Sequence, residues 1–277
     1  VPLIKIGVEC GVKMIAFEKP VADSSKAALE IKAMLAGSGI KTVVSHQHRY
    51  GIHYRKVKEL VDSGALGKIH TIYATSPGWM MHMMSHLIDY MRWYNGNVDA
   101  DWVMAQAAGR GKLKDNHPSP DYIAGVIQFA NGVRGIVETG AGAPNIPEVA
   151  KWWGRNRIHV MGDEGFAEVL TNGGWRAVTK AGAVSGGGAM DYAADMPPYV
   201  QEMADWLDDD RKAHSCNFDS ACKGFDIMMG MCRSAVEGGQ VAMPLSDGQL
   251  EIEALRQKMA DKPVLLASPD HAKEFGL

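Results

Sequence analysis

The chain changes rhythm near residue 68, and that change restricts the folds open to it. Before it, residues 2–11 are helix-periodic, 13–17 form a short apolar run, and 23–37 are helix-periodic again. Asp23, Ser24 and Ser25 offer N-caps for that helix, and Gly37 with Gly39 offers the stop. Residues 41–46 read as the next strand and 52–62 as a basic helix closed by Ser63-Gly64. Strands that alternate with helices pair in parallel, because a parallel pair needs a crossover. From the β-rich run 68–75 onward the pattern differs. A helix of unusual content spans 80–94, and strand-like runs then recur at 101–107, 122–130, 133–139 and 157–160.

These later strands are joined by hairpin signals. Ala130-Asn131-Gly132 lies between two alternating apolar runs, and Gly162-Asp163-Glu164-Gly165 is the next such turn. Residues 181–189, rich in glycine, read as a mobile loop. Helices are expected after Pro197-Pro198, at 200–210, 219–237 and 246–259. The fold class expected is therefore α/β plus α+β, with a large, mostly antiparallel sheet that follows a parallel opening.

Composition removes several classes. Of 277 residues, 46% are hydrophobic and 22% charged, which suits a packed soluble chain and not a disordered one. A net charge of -3 leaves no footprint for nucleic acid. Apolar stretches are broken by Lys, His or Asp before they reach a membrane-spanning length, and the start lacks a signal-peptide layout. Cys10, Cys216, Cys222 and Cys232 form neither a C-x-x-C pair nor a zinc-finger spacing. A cytoplasmic protein without a membrane or nucleic-acid partner is expected. The chain opens on Val1, inside a helical pattern and without a cap, and reads as an N-terminally incomplete piece.

Three groups of residues could carry chemistry. Phe17-Glu18-Lys19-Pro20 ends a parallel strand, on the edge where open α/β sheets place ligands. Lys19 could reach a ligand there, aimed by a cis bond to Pro20, or simply snorkel at a strand end. In the helix 80–94, His82, His86 and Asp89 stand at i, i+4 and i+7. A metal site, an acid/base group in a pocket and satisfied core polar residues all fit that spacing, but an H-E-x-x-H site would need Glu where Met83 stands. No metal is expected. Finally, His46, His48, Arg49 and His53, with Trp152, Trp153, Arg155 and Arg157 farther on, suit stacking on sugar faces or form a packing edge. Lys112 and Lys114 read as solvated charges.

Together these stretches resemble the Gfo/Idh/MocA family of oxidoreductases. The carriers are FEKPVADS from Phe17, HRYGIHYRKVKELVDSGALGKI from His48, HLIDYMRWYNG from His86, FANGVRG from Phe129, RIHVMGDEG from Arg157 and VAMPLSDG from Val241. The resemblance implies that residues 1–66 are the C-terminal part of a Rossmann domain and 67–277 a substrate and oligomerisation domain. Its open sheet would build a homo-oligomer. The reaction implied is hydride transfer between NAD or NADP and a hydroxyl of a small carbohydrate, polyol or sugar derivative.

By the same resemblance Lys19 and His86 are catalytic, with His82 beside them. Glu18, Lys19 and Pro20 hold the cofactor, and Arg49, His82, His86, Trp152 and Arg155 meet substrate. Asp89 orients the helix. Two departures from the family pattern stand out. His82 occupies the place of an Asp four residues before the His, and the G-x-G-x-x-G turn that the family places well before EKP is not in this sequence. The chain alone is therefore expected to be inactive and to bind dinucleotide weakly. The alternatives are an NAD-using glycoside hydrolase or lyase that works by transient oxidation, with His82 as the acid, and a non-catalytic assembly subunit.

Overall fold

The computed structural model describes residues 1–144, 146, 149 and 155–260. Helix α1 (Pro2–Glu9) leads into strand β1 (Met14–Glu18), helix α2 (Ser25–Leu35) and strand β2 (Lys41–Ser45). β1 and β2 pair in parallel, Met14 opposite Lys41 and Glu18 opposite Ser45, so both C-terminal ends reach the same edge. A 3-10 turn, Gln47–Tyr50, leaves β2 at that edge and feeds helix α3 (Ile52–Asp62).

Strands β3 (Ile69–Ser76), β4 (Ala100–Ala108), β5 (Tyr122–Phe129), β6 (Arg134–Gly140), β7 (Arg157–Gly162), β8 (Phe166–Leu170), β9 (Gly174–Thr179), β10 (Gly182–Gly186) and β11 (Gln240–Ala242) make a nine-stranded sheet. Its order is β10-β9-β8-β7-β3-β6-β5-β4-β11, and every pair is antiparallel except β3 with β6. Helices α3, α4 (Ser85–Tyr94) and α6 (Phe218–Glu237) pack on one face. Strand alternation follows from that cover. Ile72, Ala74, Ile123, Ile127, Val137, Ile158 and Val160 point under the helices and are buried, while Met104, Ile136 and Val178 on the other face are exposed.

The parallel unit is tied to the sheet by a buried polar network. Arg233 of α6 donates to Glu251 Oε1 at 3.0 Å, to Asp247 Oδ1 at 2.6 Å and to Ser25 Oγ at 2.8 Å, and the Ser25 amide donates to Glu251 Oε2 at 2.9 Å. Ser24 caps α2 by accepting from the Ala27 amide. Glu251 opens helix α7 (Glu251–Lys258), so the beginning of α2 is clamped to α6 and α7 together.

Three expectations are corrected. Residues 181–189 do not form a mobile loop: β10 pairs with β9 from Gly182 opposite Thr179 to Gly186 opposite Trp175. Helix α5 runs Tyr192–Asp208 and carries Pro197 and Pro198 within it, where a helix was expected only after them. Asp191 caps its first turn, and Met196, Tyr199, Met203 and Trp206 pack against Val43 and Tyr50, which outweighs the two absent N–H donors. Residues 80–94 are not one α-helix. Met80–Met84 form a π-helical turn before α4, which changes the face that His82 shares with His86. Among the described residues no helix is long and apolar enough to cross a membrane.

Candidate active site

A cavity of about 480 Å³ opens where the C-terminal ends of β1 and β2 face the beginning of α4. Glu18 and Lys19 reach it from β1, Gln47 and His48 from the turn after β2, and His82, Met83, His86, Leu87 and Tyr90 from the π turn and α4. Asn156, Thr171, Met190 and Tyr192 close the far side. That volume suits a small-molecule ligand.

Lys19 is half-buried, follows β1 through a cis bond to Pro20, and donates from Nζ to the His82 carbonyl at 2.6 Å. Burial lowers its pKa from the ordinary lysine value, with Glu18 opposing. His86 is buried and meets Tyr90 Oη through Nδ1 at 3.2 Å. Its ring lies edge-on to His46, with centroids 5.3 Å apart, and tilted to His48 at 5.5 Å. Burial first, then Lys19 and the neighbouring imidazoles of His46, His48 and His82, hold the pKa of His86 well below the usual imidazole range. The ring is neutral at physiological pH and free to accept a proton.

His82 lines the same cavity from its mouth. The ring is exposed and stacks on His117, 4.7 Å between centroids and 8° between planes. Desolvation, Lys19 and His117 push its pKa down to about 4, against Asp115. At neutral pH it therefore carries no ready proton, which weakens the acid role expected for it.

Arg49 is not brought to the cavity. It is 3% exposed and its fork closes on Asp89, Nε to Oδ2 at 2.6 Å and Nη2 to Oδ1 at 2.5 Å, with Nη1 donating to the Ser215 carbonyl at 3.1 Å. Burial alone would raise the Asp89 pKa, but Arg49 and His46 outweigh it and the carboxyl stays below its usual range. The pair sets α4 against the turn after β2, so the expected contact of Arg49 with substrate becomes a positioning contact.

Arg155 does not line the cavity either. Its Nε donates to the Val149 carbonyl at 2.7 Å, and it is the next residue, Asn156, that faces the cavity. Arg157 pairs with Glu168 at 3.1 Å. Trp152 and Trp153 lie outside the described residues.

Reading the sequence missed Gln47, Asn156, Thr171, Met190 and Tyr192 among the lining groups, whereas His48 and its neighbour His53 were singled out there. Thr171 Oγ1 accepts from Asn156 Nδ2 at 3.1 Å and meets Tyr54 Oη at 2.7 Å, while His53 Nε2 donates to the Thr171 carbonyl at 3.0 Å. His48 Nδ1 stands 3.6 Å from buried Asp195, and its ring meets that of Tyr192 at 5.8 Å. Only the Tyr at i+4 from His86 carried a local signal for such a contact.

The sequence profile of the GFO/IDH/MocA C-terminal domain matches residues 73–168. Oxidoreductase P35 of Formosa agariphila is 27% identical over 146 residues, covering 44% of this chain and 43% of that protein. The chain thus aligns to less than half the length of the curated relatives it matches, 43% and 46%. An Agrobacterium radiobacter oxidoreductase, solved with NAD+, L-tartaric acid and magnesium, superposes with a TM-score of 0.68 at 17% identity, covering 87% of this chain and 76% of that one. An aldose-aldose oxidoreductase of Caulobacter crescentus, solved with glycerol, does so with a TM-score of 0.71 at 17% identity, covering 87% and 75%. Those structures share the fold over 87% of this chain, and the profile covers the segment that carries His86. Residues 73–168 of this chain thus resemble the C-terminal domain of the GFO/IDH/MocA family.

Proposed function

We propose that this chain carries the substrate-binding and proton-transferring part of an NAD(P)-dependent oxidoreductase that acts on a hydroxyl of a sugar, polyol or sugar derivative. The observation that carries this reading is the convergence of Lys19 and a neutral, buried His86 on one cavity at the C-terminal edge of two parallel strands. Glu18, Lys19 and Pro20 suit the nicotinamide end of a dinucleotide. A glycine-rich turn for the pyrophosphate is not part of this sequence. When bound, the nicotinamide supplies the hydride acceptor.

His86 takes the hydroxyl proton at Nε2 while its Nδ1–H is donated to Tyr90 Oη. In the reverse direction the same imidazolium, its Nδ1–H still held by Tyr90 Oη, returns the Nε2 proton to the oxygen of the carbonyl group. Lys19 faces the negative charge that grows on the oxygen. Residues 1–66 fit the end of a dinucleotide-binding domain and 67–277 a substrate domain. The sheet face that the helices leave open, with exposed Met104, Ile136 and Val178, suits association with a second copy. The reading as an NAD-using hydrolase loses its acid, because His82 is deprotonated at neutral pH.

The test is a screen of sugars and polyols for substrate-dependent NADH or NADPH formation by protein expressed from its complete reading frame. At least one substrate should be turned over, and His86→Ala should lower that rate by about two or more orders of magnitude. No turnover across the panel, or undiminished turnover by a folded His86→Ala variant, would contradict the reading.

A further inference from the structure

The cavity is poor in anionic acceptors: among its described lining residues Glu18 is the one carboxylate, while Tyr90, Asn156, Thr171, Tyr192 and the imidazoles offer neutral ones. Lys19 brings an ammonium, His48, His82 and His86 bring imidazoles, and Gln47 receives a bond from Ser45 at its Oε1, which leaves its NH2 as the group it can offer. The carboxylates nearby are engaged elsewhere or stand at the edge. Asp89 is closed by both arms of Arg49, and Asp195 lies buried 3.6 Å behind His48. Glu18 is exposed at the rim. A neutral sugar presents hydroxyls that must donate as well as accept, and it would find few carboxylate acceptors inside. A carboxylate presents acceptors only.

We propose that the substrate carries a carboxylate, as a uronic acid, an aldonic acid or another sugar-derived hydroxy acid does, and that Lys19 with His82 receives it or the hydroxyl beside it. This rests on the cavity being the substrate site of the oxidoreductase proposed above. Among the described lining residues Lys19 is the single side chain that is cationic by nature at neutral pH, and none is an arginine. One such charge matches a monoanionic carboxylate better than a dianionic phosphate, which favours the fork of an arginine. The neutral imidazole of His82 at the mouth does not repel an acid, as a carboxylate at that position would.

The experiment is titration calorimetry of this chain, without cofactor, against matched pairs: D-glucuronate with D-glucose, and D-galactonate with galactitol. Glucose 6-phosphate is the phosphate arm. At least one acid should bind about tenfold or more tightly than its neutral partner and more tightly than the phosphate, on the scale of a charge-assisted bond. His82→Asp, a change at an exposed position, should remove that preference with the circular dichroism unchanged. Equal or tighter binding of the neutral partners or of the phosphate, binding of no acid in the panel, or an unchanged preference in His82→Asp would overturn the proposal. The two readings fail separately. Turnover of neutral polyols with no preference for acids upholds the oxidoreductase and removes the acid substrate, whereas tight acid binding without any hydride transfer does the reverse.

Discussion

Asp89 stays ionised in a place that water does not reach because Arg49 lies against it. Replacing Arg49 with Met should leave that carboxylate unpaired and cost about 3–5 kcal/mol, and adding Asp89→Leu should restore most of it. Urea denaturation of the single and double variants measures this, and a loss below about 1 kcal/mol in Arg49→Met would contradict it. Four buried histidines extend the argument to pH. His46, His53, His86 and His214 have pKa values lowered by burial, so each is kept neutral in the fold. The unfolded chain takes up their protons once pH falls below about 6.5. Stability is thus full above that pH and declines below it, by about 1.4 kcal/mol per pH unit for each histidine that stays neutral. The lowered carboxyls Asp89 and Glu202 act in the same direction only at still lower pH, near about 4. Urea midpoints should therefore be clearly lower at pH 5 than at pH 7.5, and equal midpoints would refute the account.

At the scale of elements, close approach decides more than propensity. Gly125 lies on the helix-covered face of β5, where a Cβ would stand 2.5 Å from Met231 Cε, 2.6 Å from the Met104 carbonyl and 2.7 Å from Ala105 Cβ. The methionine can yield but the backbone oxygen cannot, so Gly125→Ala should destabilise by about 1–3 kcal/mol in thermal or urea unfolding. A stabilised variant would show that α6 lifts freely from the sheet. The same contrast explains what was legible in the sequence. Alternation at 122–130 and 133–139 with Asn131-Gly132 between them places the β5–β6 hairpin, because both its turn and its faces are local. Nothing in Met80-Met81-His82-Met83-Met84 announces a π turn, since its hydrogen bonding is chosen by how α4 seats on β3 and β7. Pro197-Pro198 and the glycines after Ser185 read locally as breakers, and packing on Val43 and pairing with β9 overrule them. In the site, Lys19 and His86 were legible through short motifs. Arg49 was misplaced because only the fold shows that Asp89 takes its fork, and Asn156, Thr171 and Tyr192 come from loops far apart in the chain.

For the whole molecule, the parallel unit and the large sheet matter because they bring two chemistries together. The unit presents Lys19 at its edge, α4 presents His86 from the sheet side, and the clamp of Arg233, Glu251 and Ser25 fixes one against the other. If both residues act on one oxygen in one step, their effects must depend on each other. The direct measurement is a double-mutant cycle of NAD(P)-linked turnover with Lys19→Ala and His86→Ala in protein expressed from its complete reading frame. The expected result is a loss of about two or more orders of magnitude in each single variant, with the double variant no more than about tenfold below the slower single. Turnover close to that of the parent in either single variant, with its circular dichroism intact, or a double variant whose loss is the full product of the two, would contradict the claim that Lys19 and His86 share one reacting hydroxyl.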